Sequence, residues 1–133
     1  MKLDFSKEMM DIGTFSFNLV RTMALAGTSG AEISECLLAA DRIKDHDQES
    51  WVREWAILAE KVARTAEQAI QAGQTITARE AYLRASNYYR TAMFSLPETD
   101  PRLFQYLTLN RDYFRAAAKL FPSPIEVIDI PLK

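Results

Sequence analysis

An all-α fold is predicted for this chain: an antiparallel bundle of about five helices with one C-terminal strand-like segment. Three observations predict it. From Glu8 to Phe121 apolar residues recur at three- and four-residue spacing, the period of a helix with one buried face. Capping residues, Gly and Pro divide that stretch into separate helices. After Pro122 and Pro124 comes Ile125-Glu126-Val127-Ile128-Asp129-Ile130, rich in β-branched residues and free of Gly, which reads as a strand. No other segment reads that way. A lone strand has no ladder for its N–H and C=O groups. Either its partner strands belong to a longer protein, or the run is an extended tail that packs on the helices or pairs with its own copy.

The first helix is expected from about Ser6 to Ala26, with Met9, Ile12, Phe15, Leu19 and Met23 on its apolar face and Gly27 and Gly30 at its end. The second is expected from about Ala31 to Ile43. Ser29 and Glu32 have capping-box spacing, which assigns Ser29 as its cap, and Ile33, Cys36, Leu37 and Ala40 form its stripe. Asp47 caps a long third helix, about Gln48 to Ala72, whose face carries Trp51, Trp55, Leu58, Ala59, Val62, Ala66 and Ala69 and whose end is a left-handed Gly73. The fourth opens with Thr77 and Glu80 at capping-box spacing and runs to about Ser95. Asp100 caps the fifth, Pro101 takes its first position, and the helix continues to about Phe121. Short connections between long helices make helices three to five an up-down-up layer, onto which helices one and two must pack.

Two helices carry more apolar surface than one core face needs. On the fourth, Ala78, Ala81, Tyr82, Ala85, Tyr89, Ala92, Met93 and Leu96 fill a sector about 120° wide. Leu83 and Phe94 lie opposite, among Ser86, Asn87 and Arg90, which suits contact with a second domain, a second subunit or a ligand. Scattered exposed apolar residues are the plain alternative. On the fifth, Leu103, Leu107, Phe114, Ala118 and Phe121 form one stripe, and Tyr106, Leu109, Tyr113 and Leu120 another. A helix apolar on two sides is either central or awaits a partner.

Composition bounds the function. The 133 residues are 48% hydrophobic and 26% charged with a net charge of -2, which suits one soluble domain and gives no basic footprint for nucleic acid. One cysteine, Cys36, allows no internal disulfide and points to a reducing compartment. No signal peptide and no span of about 20 apolar residues is found, so a cytoplasmic location and no membrane partner are expected. The only histidine, His46, sits among Asp45, Asp47 and Glu49, but capping explains those acids and no second His or Cys completes a metal set. Gly27-Thr28-Ser29-Gly30-Ala31 falls one residue short of a nucleophile elbow and follows a helix rather than a strand. Walker, Rossmann and paired-cysteine motifs are absent. The chain therefore has no self-contained catalytic apparatus, and no catalytic residue, cofactor or metal site is assigned. The polar residues Arg84, Asn87, Tyr88 and Arg90 read either as a solvated face with cross-helix hydrogen bonds or as a lining over an active site supplied elsewhere. Trp51 and Trp55 will each need an acceptor for the indole N–H if buried.

The runs ESWVREW (Glu49 to Trp55), AREAYLRASNYYRTAMF (Ala78 to Phe94), DPR (Asp100 to Arg102) and IEVIDIP (Ile125 to Pro131) occur in this order. Together they resemble the N-terminal helical region of a group of α/β-hydrolases that includes 2,6-dihydroxypseudooxynicotine hydrolase and the fungal polyketide-shortening pigment hydrolases. The resemblance implies a helical cap over residues 1–121, and a linker and first strand of the hydrolase sheet over 122–133. It implies a parent that cleaves an ester, amide or carbon–carbon bond with a serine nucleophile, the triad lying past this chain's end. The cap would shape and shield the substrate pocket, with the catalytic domain as its partner. Trp51, Trp55, Asn87, Tyr88 and Arg90 fall in the cap motifs. With Leu83 and Phe94 they are the candidate substrate-pocket or domain-interface residues. Two alternatives stay open. One is a tetratricopeptide-like interaction module, although a period of about 34 residues is not sustained across three units. The other is a self-associating bundle, a homo-oligomer formed through exposed apolar faces.

Overall fold

The structure, a computed structural model, describes Met1, residues 14–123 and residues 125–131. Among them are five α-helices: α1 (Phe15–Met23), α2 (Ile33–Arg42), α3 (Gln48–Gln71), α4 (Thr75–Met93) and α5 (Pro101–Ala118). The residues expected to begin the first helix, Met9 and Ile12 among them, lie outside the described ones.

Helix α1 starts at Thr14, whose hydroxyl accepts from the Phe17 N–H, and buries Leu19. A 3-10 turn over Ala24–Thr28 follows and ends at Ser29, which has φ 60°. Ser29 is thus not the cap of α2. Glu32 is: its carboxylate accepts from the Glu35 N–H at 2.8 Å. Ser29 is held in the left-handed turn that closes the preceding 3-10 segment, so the chain must turn again through Gly30 before α2 can begin. A Cβ on Gly30 would meet the Leu25 Cβ at 3.0 Å, so the turn has little space for a larger residue. The stripe of α2 is also rotated from its expected place. Cys36, Ala39 and Ala40 are buried, while Ile33 and Leu37 face out, because this short helix has only one side against α1 and α3.

The expected caps of α3 and α5 are present. Asp47 accepts from the Ser50 N–H, and Asp100 accepts from the Arg102 N–H with Pro101 in the first turn. Gly73 has φ 70°, the left-handed conformation that ends α3. The Thr77–Glu80 capping box is not used. Helix α4 begins two residues earlier, at Thr75, because the tight turn through Gly73 delivers the chain directly into helix and the Gln74 carbonyl already accepts from Ala78.

Helices α3, α4 and α5 form the antiparallel layer. The order of contacts proves the direction: Tyr82 meets Tyr113, Ser86 meets Asn110 and Tyr89 meets Tyr106, each step forward on α4 being a step back on α5. Trp51 with Thr91 and Trp55 with Tyr88 do the same for α3. Buried alanines line the seam, with Ala59, Ala63 and Ala66 on α3 and Ala78, Ala81, Ala85 and Ala92 on α4. Small side chains bring the two backbones close and leave room for the large aromatics at one end.

Of the two readings of helix α5, the central one does not hold among the described residues: Tyr106, Leu109 and Tyr113 pack toward the core, while Phe104 is 76% and Leu107 52% exposed. A further expectation changes. The terminal run forms no strand. Ile125 donates its N–H to the Ala118 carbonyl at 3.3 Å, and residues 125–131 continue without a ladder, with Ile130 78% exposed. The helices spend their backbone groups internally, so among the described residues there is no edge for a strand to join. No described helix is long and apolar enough to cross a membrane.

Candidate functional site

The seven candidate residues divide into a buried group and a surface group, both arranged around α4. Trp51, Trp55 and Tyr88 are fully buried and Asn87 nearly so, while Leu83, Arg90 and Phe94 are half-buried.

The buried group is an aromatic spine. Phe15 stacks on Trp51 at 4.7 Å, Trp51 meets Trp55 at 5.6 Å, and Trp55 meets Tyr88 at 5.6 Å. The spacing of Trp51 and Trp55 places one indole per turn on the inner face of α3. Polar tips anchor this spine to its surroundings. The Trp51 indole N–H donates to the Thr91 carbonyl at 2.9 Å. The Thr91 hydroxyl donates to the Asn87 carbonyl and stands 2.9 Å from the Thr22 hydroxyl, which joins α4 to α1. The Asn87 amide donates to the Gly30 carbonyl at 2.8 Å. The Trp55 indole N–H and the Asn87 side-chain oxygen are buried without a partner among the described residues.

Tyr88 is the centre of the second network. Its hydroxyl accepts from the Glu32 N–H at 2.8 Å and donates to the Glu35 carboxylate at 2.8 Å; the Cys36 thiol lies 3.9 Å away. Arg84 reaches the same Glu35 oxygen at 3.1 Å. Burial pushes the Tyr88 hydroxyl far above its ordinary range and the Cys36 thiol up to about 11, so both stay protonated near neutral pH. In that state they serve as hydrogen-bonding groups at the α2–α4 junction. Glu35 carries no sequence signal that would single it out from other helix-surface acids, and it was not among the candidates.

A third cluster joins two of the sequence motifs. Arg102, in the DPR run, donates to both oxygens of Glu49 at 2.6 and 2.9 Å and to Asp100 at 2.7 Å. Glu49 opens the ESWVREW run, so the pair ties the start of α5 to the start of α3. The Arg102 hydrogen bonds hold the Glu49 and Asp100 carboxyls below their usual range. Beside this cluster a groove of about 310 Å³ runs between α3 and α5, lined in part by Arg53, Ile57, Tyr89, Tyr106 and Leu109.

The surface group lies on one stripe of α4 and its C-cap, since Leu83, Arg90 and Phe94 follow the seven-four spacing of a helix face. Two guanidinium groups stand over the Phe94 ring, Arg21 at 4.9 Å and Arg90 at 5.2 Å from its centroid. Arg21 comes from α1 and was not among the candidates; nothing in the sequence links it to a residue seventy positions on.

No family model matches the chain. Individual relatives do. Hydrolyase poxO of Penicillium oxalicum is 49% identical over 78 residues, 59% of this chain and 18% of that protein. Hydrolase ORFZ of Pyricularia oryzae is 38% identical over 124 residues, 90% of this chain and 29% of that protein. Alpha/beta hydrolase xenA of Xenoacremonium sinensis is 34% identical over 117 residues, 88% of this chain and 28% of that protein. The chain spans less than a third of the length of each of these relatives. It is, over most of its own length, a homologue of a segment of fungal α/β-hydrolases.

Proposed function

We propose that this segment is the helical cap of a serine α/β-hydrolase, packed over a catalytic domain that this chain does not contain and shaping its substrate pocket. The observation that carries the reading is the match itself: about nine-tenths of the chain aligns with under a third of proteins named as hydrolases. The exposed apolar face of α5 and the apolar run over 125–130 support it, because surface of this kind belongs against another protein surface. Such a cap excludes water from the reacting bond and positions the substrate, while the nucleophile comes from the catalytic domain.

The test is a chimera. The matching segment of hydrolase ORFZ is replaced by this chain, and hydrolysis of a p-nitrophenyl ester is compared with the parent and with a version lacking the segment. Retained turnover in the chimera and loss in the deletion are expected. Unchanged turnover in the deletion would remove the cap role.

The same exposed residues, Phe104, Leu107 and Phe114, also favour a second reading in which the chain associates with its own copy through α5. The two readings are compatible; light scattering across concentration tests the second, which a clean monomer at high concentration would refute.

A further inference from the structure

Outside the buried networks and the Arg102 cluster, the closest gathering of charge is the pair Arg21 and Arg90 over Phe94. The two guanidinium carbons stand 4.9 and 5.2 Å from the ring centroid, and neither group has an ion-pair partner among the described residues to occupy its N–H donors. They share that lack of an ion pair with Arg79 and Arg115, but they alone are two guanidinium groups gathered on one ring. Two like charges are therefore held around one half-buried ring. Burial lowers the Arg90 pKa, and the charge of Arg21 lowers it further, so the two groups feel one another. An arrangement of this kind is relieved by an anion that accepts from both edges. A carboxylate has the planar two-oxygen geometry that guanidinium edges match, and a flat unsaturated body suits the aromatic and apolar stripe of Phe94 and Leu83.

We propose that Arg21, Arg90 and Phe94 form a binding subsite for a small planar organic carboxylate, at the junction of α1 with the outer stripe of α4. The inference deepens the cap reading by naming a ligand class for that stripe. Its test uses this chain alone, so its failure would leave the chimera result standing, and the reverse.

Sodium benzoate is titrated into the full chain at constant ionic strength, with arginine side-chain N–H and Phe94 ring signals followed by nuclear magnetic resonance. Saturable shifts at Arg21, Arg90 and Phe94 are expected, with affinity about tenfold weaker in Arg90→Gln and in Arg21→Gln. Arg21 is exposed, so Arg21→Gln keeps the fold intact and guards against a trivial loss of structure. Three outcomes overturn the proposal: no saturable shift in the wild type, unchanged affinity in both variants, or sodium chloride producing the same shifts at the same concentration.

Discussion

The indole N–H of Trp51 donates to the carbonyl of Thr91 at 2.9 Å, while that of Trp55, one turn further along α3, is buried with no acceptor among the described residues. The two tryptophans are equally buried and belong to one aromatic spine, yet they differ in what a phenylalanine replacement removes. Trp51→Phe breaks a buried hydrogen bond and leaves the Thr91 carbonyl with only the long bond from the Phe94 N–H at 3.3 Å. Trp55→Phe deletes a donor that makes no bond to any described residue. Both lose packing volume, so the difference isolates the polar part. Trp51→Phe is expected to be the less stable by about 1–2 kcal/mol. Urea unfolding of the two variants checks this, and equal midpoints would contradict it.

Tyr88→Phe keeps the ring against Trp55 and removes the hydroxyl that links Glu32, Glu35 and Cys36. The Glu32 N–H and the Glu35 carboxylate both lose a partner. A loss of about 1–3 kcal/mol is expected, with faster amide exchange concentrated in the first turn of α2. Uniform exchange across the bundle would argue against a role local to the α2–α4 junction.

The Arg102 cluster makes stability depend on acid. Glu49 and Asp100 have folded pKa values below their ordinary 4.5 and 3.8, mainly through the Arg102 hydrogen bonds. Their contribution is present in full above those values and is lost as the pH falls below them, through the lowered folded pKa values. The melting temperature of the wild type should therefore fall more steeply below pH 4.5 than that of Arg102→Gln. Parallel curves would show that these exposed pairs contribute nothing measurable, as many surface pairs do.

Cys36 gives the alkaline counterpart. Burial raises its thiol from 9.0 to about 11 in the folded state. The folded state thus favours the protonated thiol, and the stability this gives is lost as the pH rises from 9.0 through 11. A thiol-specific reagent should react with the native protein only at the rate of opening, and much faster in urea. Rapid native labelling at neutral pH would contradict a buried Cys36.

Leu107→Asp on the outer face of α5 should leave the unfolding midpoint within about 0.5 kcal/mol of the wild type, because the side chain is half in solvent already. Under the cap reading it should weaken docking of the catalytic domain, read as lower turnover of the chimera. Under the self-association reading it should lower the mass at high concentration. A variant that alters neither would remove α5 from both.

The sequence by itself determined the helices. Their number, the Asp47 and Asp100 caps, the Gly73 stop and the alanine seam of α3 and α4 are local matters of period, capping and φ, and they are legible in one dimension. Three of the motif runs also have structural causes here, since Glu49 pairs with Arg102, Asn87 holds Gly30 and Tyr88 holds the start of α2. Tertiary structure decided what each helix faces. Ser29 gave up its capping role to Glu32 because the 3-10 turn fixed its backbone, and much of the second face of α4 that suggested an absent partner is covered by α1 and α2 of the same chain. The apolar outer stripe of α5 and the unpaired run at 125–131 remain where that signal persists. A helical period fixes which residues share a side, but only the packing of distant segments fixes what lies against it. That is why Arg21 joins Arg90 over Phe94 without any trace in the sequence, although the four-residue spacing of Arg90 and Phe94 is legible there.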